Sequence, residues 1–337
     1  MNVCLNLPIA AATLPPETLQ APEPAEVPVP GSALSALNSF VQMTYGSREN
    51  LHMLYLIICV LVITCIYLSK ERSHWLHREN KERVVIIGSS SGIGKELSLQ
   101  YAKRGAKLIL MSRRENLLKE LTKKCLETSS SVNYFKGDIT NEADLKGLLD
   151  LANEKLGGVD TLILCAGILS SSQFKEETET SLIQTIFNTN TIGPILAARI
   201  FLKALLVSKG NLVVISSVAG LIPAPTRSIY GASKAAINLF FNSLRIEYES
   251  RGLNICLILP ATVKTEFRNS ALDAEDNLEN NKTFGIDTVK CCNIIIRSSD
   301  LRLKQVFIPV HYFAISLLEK IFPSVTNYFA KKKYGFH

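Results

Sequence analysis

Tyr230 and Lys234 stand four residues apart, and Ser217 precedes the tyrosine by thirteen positions. The residues that follow Lys234, AAINLFFNSLRIEY, predict a helix, which puts both side chains on one face in neighbouring turns. A lysine ammonium held beside a phenol favours the phenolate and is expected to lower its pKa. A tyrosine tuned from about 10 toward neutrality donates a proton to a carbonyl oxygen and takes it back in the reverse reaction. Ser217 closes an apolar run, Leu212–Ile215, that reads as a buried strand, and it supplies a second hydrogen bond to that oxygen. Taken alone, a YxxxK spacing with a nearby serine is common by chance.

The spacing gains weight from a second motif about 130 residues upstream. Arg83–Ile87 is a short β-branched run, followed by Gly88-Ser-Ser-Ser-Gly92-Ile-Gly94 and a helix-like KELSLQYAKRG. Glycines at these points permit a tight strand-to-helix turn and the close approach of a pyrophosphate. The phosphates then meet backbone N–H groups at the positive end of the helix dipole.

With both motifs in place, the chain resembles the short-chain dehydrogenase/reductase family from Arg83 to Ile308. The family pattern is TGxxxGxG, a serine, YxxxK and an upstream asparagine. Within the family it is most similar to membrane-anchored 11-beta-hydroxysteroid dehydrogenase-like and related dehydrogenase/reductase members. The grounds are the N-terminal anchor, the LIL ahead of Ala166-Gly167, the SSVAG wording and an aromatic C-terminal tail. The resemblance implies a catalytic set of Asn190, Ser217, Tyr230 and Lys234. Asn190 is expected to hold a water that links Lys234 to solvent. Ser217, rather than Ser216, has the family's separation from the tyrosine and is expected to touch substrate. Implied cofactor contacts are Gly88, Ser90, Ser91, Gly92, Ile93 and Gly94 at the turn, and Asp138 and Ile139 at the adenine. Ala166 and Gly167 are implied near the ribose, Val263 and Thr265 at the carboxamide, with Tyr230 and Lys234 completing the set. Two departures stand out: Leu164-Cys165 replaces the usual paired asparagines, and Ala261 replaces a glycine in Pro260–Thr265.

The second apolar strand ends Met111-Ser112-Arg113-Arg114, with no acid to bind a ribose 2′-hydroxyl. Arginine can grip a 2′-phosphate with two hydrogen bonds, so NADP(H) is the expected cofactor. Arg113 matches the family position. The implied reaction is hydride transfer between the nicotinamide and a carbonyl carbon, with Tyr230 delivering the proton and reduction the favoured direction. The rival class is a non-catalytic NADP(H)-binding membrane scaffold on the same fold, against which the intact set of four argues.

From Arg83 onward apolar strands alternate with amphipathic helices. The strands are expected at Val84–Ile87, Lys107–Met111, Val132–Phe135, Thr161–Leu164, Leu212–Ile215, Ile255–Leu259 and Gln305–Ile308. Glu96–Lys103, Asn116–Cys125, Glu142–Asn153, Ser181–Leu206 and Ala235–Glu249 read as helices between them. This predicts an α/β fold: a single Rossmann domain with a doubly wound parallel sheet, over residues 80–309. The substrate walls are expected at Leu221–Thr226 and in the acidic Phe267–Phe284 stretch.

Outside that domain, residues 1–50 hold seven of the 13 prolines between Pro8 and Pro30 and read as a disordered tail. Leu51–Leu68 is an uncharged apolar run of eighteen residues, roughly 27 Å as a helix, so a transmembrane helix is expected over 51–69. A signal peptide starts nearer Met1; a buried core helix is the competing reading. Only Arg48 precedes the run closely, whereas Lys70, Arg72, Arg78, Lys81 and Arg83 follow it. The positive-inside rule therefore puts the catalytic domain in the cytosol, single-pass, on the endoplasmic reticulum. The sequon at Asn281 argues for the lumen instead. Net charge is +7 without a basic block of the kind that binds nucleic acid. The eight cysteines show neither CxxC nor metal-ligand spacing, which points to free thiols and no metal. A membrane anchor implies a lipophilic carbonyl or alcohol substrate, such as a steroid, retinoid, sphingoid or fatty-acyl compound. The segment 310–337, rich in aromatics and ending near Lys331–Lys333, suits a membrane-surface helix, a cap over the substrate cleft or a homodimer contact.

Overall fold

The computed structural model describes residues 82–267, 272 and 285–336. The proline-rich tail, the apolar run at 51–69 and most of the acidic loop lie outside these residues.

The seven expected strands form within one residue of their anticipated ends: β1 (Arg83–Ile87), β2 (Lys107–Ser112), β3 (Val132–Lys136), β4 (Thr161–Leu164), β5 (Asn211–Ile215), β6 (Asn254–Pro260) and β7 (Gln305–Ile308). All pair in parallel, in the order β3-β2-β1-β4-β5-β6-β7. Parallel strands covered on both faces need apolar residues at every position, which is why they read as unbroken runs. The period of two still decides which helix layer each residue meets. Val85, Ile87, Ile255, Leu257 and Leu259 pack with α3 (Glu142–Leu156), α5 (Gly193–Val207) and α6 (Ser228–Tyr248). Val84, Ile86, Cys256 and Ile258 pack with α1 (Gly92–Lys103), α2 (Glu115–Leu126) and α7 (Thr288–Asp300). The largest buried side chains, Phe201 and Phe241 among them, are each worth about 3–5 kcal/mol against alanine.

The expected single helix over 181–206 is interrupted. α4 (Thr180–Phe187) passes through a π-helical turn, Asn188–Ile192, before α5 begins. The turn lies where Asn190 is fully buried. Thr180–Val207 is the one stretch among the described residues long and apolar enough to cross a membrane. Its Ala197, Phe201 and Leu205 are instead packed into the core. α7 had no counterpart in the expected elements. It starts at Asp287, whose carboxylate accepts from the Lys290 amide, and buries Cys291, Cys292, Ile295 and Ile296. After β7 the chain forms a helical hairpin, α8 (Tyr312–Ile321) and α9 (Pro323–Tyr334), with Pro323 starting the second helix.

The strand order reverses between β1 and β4, so the turns leaving those two strands diverge and open a crevice at their carboxyl ends.

Candidate active site

The crevice begins at the glycine turn after β1. Gly88 has φ +91°, and a Cβ there would lie 2.4 Å from the Ala166 amide nitrogen at the end of β4. A Cβ on Gly94 would lie 2.2 Å from the Gly88 carbonyl oxygen, so only glycine lets α1 pack down on the turn. Ser91 stands at the N-cap of α1 but its side chain caps nothing, leaving the first amides of the helix turned toward the cavity end. Its hydroxyl is held instead by Arg114, whose Nη2 donates to Ser91 Oγ at 2.7 Å and to Ser90 Oγ at 2.8 Å. Arg113 lies 3.8 Å from Asp138 Oδ2. Asp138 Oδ1 accepts from the Thr140 amide and hydroxyl, both at 2.9 Å, while Asn141 rather than Asp138 caps α3. Backbone cradle, uncapped helix start and paired arginines fit a dinucleotide carrying phosphates.

The reacting groups sit on β5 and α6. Ser217 follows the end of β5 and caps a short 3₁₀ turn, its Oγ accepting from the Ala219 amide at 3.1 Å. The same hydroxyl donates to the Pro260 carbonyl at 3.4 Å and acts on the Tyr230 phenol to lower its pKa, whereas Ser216 donates to Asn238. Of the two serines, Ser217 is the one that acts on the tyrosine. Lys234 is buried, donates to the Ile215 carbonyl at 3.1 Å, and has its Nζ 5.8 Å from the Tyr230 ring centroid.

The electrostatics differ from the expectation that Lys234 brings Tyr230 toward neutrality. Burial pushes Tyr230 up to about 12; the Ser217 hydroxyl, and then the charge of Arg227, pull it down only in part. Burial also lowers Lys234 to about 8. Losing water costs the charged form of each group more than the neighbour returns. At neutral pH the pair is a neutral phenol beside an ammonium, which is the proton-donating state.

The Asn190 side chain bonds to protein groups. Its Oδ1 accepts from the Ile168 amide at 2.8 Å, and its Nδ2 donates to the Ile168 carbonyl at 2.9 Å and to Ser233 Oγ at 3.1 Å. Ser233 in turn donates to the Tyr230 carbonyl at 2.7 Å. The side chain is a clamp that ties the π turn to the loop after β4 and to α6. A Cβ on Gly167 would lie 3.3 Å from Asn190 Oδ1 and 3.7 Å from Lys234 Nζ, so Gly167 adjoins both.

One cavity of about 1010 Å³ joins these parts. It is lined by the glycine turn with Ile93, by Arg113, Arg114, Asp138 and Ile139, and by Ala166, Gly167, Val263 and Thr265. Ser217, Tyr230 and Lys234 line it too, while Asn190 supports it from behind. Ala261 has no positive φ, so the missing glycine of Pro260–Thr265 strains nothing there. Cys165 borders the cavity as a neutral thiol, pushed up to about 12 by burial.

The family model described as short chain dehydrogenase matches residues 82–276. This chain belongs to that family. The 11-beta-hydroxysteroid dehydrogenase-like 4A of Arabidopsis thaliana is 36% identical over 197 residues, 58% of this chain and 66% of that protein, so the match spans about two thirds of the relative. The dehydrogenase/reductase SDR family protein 7-like of Dictyostelium discoideum is 30% identical over 288 residues, 83% of this chain and 88% of that one. A solved short-chain dehydrogenase from Sphingobium yanoikuyae, in complex with NADPH, shares 26% identity with a TM-score of 0.62, covering 72% of this chain and 95% of the other.

Among further cavity residues, Arg227 has no counterpart in the sequence reading. Phe267 falls in a stretch expected there as a substrate wall, and the C-terminal hairpin in the tail expected, on one reading, as a cap. Arg227 heads α6 one turn before Tyr230, donates to the Ser170 carbonyl at 3.2 Å and follows Thr226, which has φ +62°. Phe267 sets its ring 6.3 Å from that of Tyr230. Tyr312, Ile315, Leu318, Phe329 and Lys333 of the C-terminal hairpin also line the cavity. For Arg227 the only local signal is a basic residue three positions before the tyrosine.

Proposed function

We propose that this short-chain dehydrogenase is an NADP(H)-dependent reductase of a ketone on a lipophilic small molecule, with Tyr230 as the proton donor. The observation that carries the reading is the placement of Ser217, Tyr230 and buried Lys234, its Nζ 5.8 Å from the Tyr230 ring centroid, in one cavity with the glycine cradle. The residues that would hold the dinucleotide are Gly88–Gly94, Asp138, Ile139, Ala166, Gly167, Val263 and Thr265, with Arg113 and Arg114 at a 2′-phosphate. The nicotinamide, when bound, supplies the hydride.

Ser217 and Tyr230 hold the substrate oxygen by two hydrogen bonds, and Tyr230 passes its proton to that oxygen as negative charge develops there. Lys234 stabilises the phenolate left behind and would bond the ribose of a bound dinucleotide. Asn190 is a positioning residue, fixing Ile168 and α6 through Ser233. The apolar share of the cavity, Ile168, Leu169, Ile315, Leu318 and Phe329 among it, supports a lipophilic substrate.

The domain is further proposed to be tethered by residues 51–69 to the endoplasmic reticulum with its cavity in the cytosol. A glycosidase-sensitive mass shift that disappears in Asn281→Gln would reverse that topology.

The test of the activity is NADPH oxidation by the full chain against steroid, retinoid, sphingoid and fatty-acyl ketones, with the alcohol product identified. Turnover of at least one ketone with NADPH preferred over NADH is expected. NADPH binding without turnover across the panel would instead leave the non-catalytic scaffold.

A further inference from the structure

The start of α6 carries a side chain that does nothing for the helix. Arg227 stands at the N-cap and makes no capping bond. Short polar residues that accept from the first amides are favoured there, and a cation at that end opposes the helix dipole. What the side chain reaches lies outside the helix. Its Nη1 donates to the Ser170 carbonyl at 3.2 Å, in the loop after β4, and Arg227 lines the cavity together with Tyr230. The Gly231 amide closes the first turn on the Arg227 carbonyl, so residues 227 and 230 share one face of it. Thr226 enters this turn at φ +62°, a conformation that a β-branched residue keeps only where its surroundings enforce it.

Two cations of α6, Arg227 and Lys234, share the cavity with the Tyr230 phenol. Burial lowers Lys234 to about 8, so it discharges well before the phenol, pushed up to about 12, releases its proton. The Arg227 guanidinium stays charged across that range, and its charge, after the Ser217 hydroxyl, draws the phenol down. Among the described residues, the titratable groups that line the cavity from other elements are Cys165 after β4, Glu266 after β6, and Tyr312, Lys333 and Tyr334 on the hairpin. Arg113, Arg114 and Asp138 lie at the dinucleotide end. The charge of Cys165 bears on Lys234.

We propose that Arg227 is a positioning residue for the proton transfer: tied to the loop after β4, it holds a permanent positive charge beside the Tyr230 phenol and stabilises the phenolate, together with Lys234 at neutral pH and without it in alkali. In alcohol oxidation, where the phenolate takes the hydroxyl proton, Arg227 carries this role once Lys234 has discharged. The part in catalysis rests on the reductase reading above; the action of the charge on the phenol does not.

The experiment places difluorotyrosine at position 230 of the full chain in detergent. The ring fluorines bring the phenol's titration into a range that the fold survives, and their NMR signal reads that residue alone. Arg227→Gln is expected to move the titration up by about half a pH unit or more, with NADPH affinity unchanged, and Arg227→Lys to return it toward the native position. A Gln variant that titrates like the native chain overturns the proposal. So does a Lys variant displaced as far as the Gln variant, which makes the effect one of packing rather than charge. For any ketone that the panel shows to be reduced, oxidation of its alcohol gives a second reading on chains with the ordinary Tyr230. The pH profile of kcat should shift up by a similar interval in Arg227→Gln, with KM nearly unchanged. A shifted titration beside an unshifted profile removes Arg227 from the reaction and overturns the proposal. If the titration shifts and no ketone is turned over, the reductase reading fails alone.

Discussion

The glycine-turn wall of the cavity is made of backbone, and the hairpin wall is made of side chains. In the first, Gly88 and Gly94 sit so close to Ala166 and to each other that no methyl group fits. In the second, Tyr312, Ile315 and Phe329 reach in from helices whose opposite sides are exposed. A backbone wall holds one ligand shape and tolerates no substitution, while a side-chain wall is reshaped by small changes in volume. The match to the family model ends at residue 276, before the hairpin begins. What this chain shares most with its family is therefore the backbone-built wall, and its substrate preference is expected to reside in the other.

The sharpest way to break the contrast is a matched pair of substitutions. Gly94→Val forces side-chain carbons into the Gly88 carbonyl and is expected to destabilise by about 3 kcal/mol or more, read as a fall in Tm, with NADPH binding lost. Ile315→Ala on the hairpin is expected to cost less than about 1 kcal/mol and to change KM for ketones rather than NADPH affinity. Equal losses at both positions would erase the distinction.

Arg113→Asp probes the cofactor wall through charge. An aspartate repels a 2′-phosphate and accepts from a ribose hydroxyl, so the ratio of kcat/KM for NADPH over NADH should fall about tenfold to a hundredfold. An unchanged ratio would shift the phosphate to Arg114, which already bridges Ser90 and Ser91.

The catalytic groups between the walls give a pH signature. Lys234 carries its charge below about 8, so reduction should be flat below that value and decline above it. Its contribution to stability runs the other way. Between about 8 and its ordinary 10.5 the unfolded chain binds the proton that the folded chain has released, so this part of the stability rises with pH. Buried thiols raised by burial pull stability the other way at alkaline pH, so the lysine is read as the difference in urea midpoint between the native chain and Lys234→Met. That difference should move in the native chain's favour above about pH 8 while the native rate falls.

Much of the backbone-built wall was legible in the sequence, because a turn that admits only glycine and strands buried on both faces constrain residue type position by position. α7 escaped because its Cys-Cys and Ile-Ile-Ile stretch is as apolar as a strand, and burial in place decides between the two. The π turn at Asn188–Ile192 left no periodicity to read. The i,i+4 spacing of Tyr230 and Lys234 correctly put them together, but spacing carries no information on desolvation, which sets both pKa values. Arg227 reaches the cavity through tertiary packing, which local pattern does not encode, and Phe267 and the hairpin were legible only as whole stretches, not as the side chains that point inward.

The smallest expected effect concerns one of those residues. Thr226, a β-branched residue at φ +62°, holds a conformation that costs about 1–2 kcal/mol. Thr226→Gly should raise stability by about 1 kcal/mol or less while lowering turnover, because Arg227 loses its fixed approach to Tyr230. A stabilised variant with unaltered kcat would remove Arg227 from the account.

The central claim is that Tyr230 donates the proton while backbone-built elements hold the dinucleotide. Tyr230→Phe, compared with the native chain by NADPH titration and by turnover of a reduced ketone, tests it most directly. The account predicts a loss of about a hundredfold or more in kcat with NADPH affinity nearly intact. Retention of more than roughly a tenth of the native rate would contradict it, since general acid catalysis is worth far more than that.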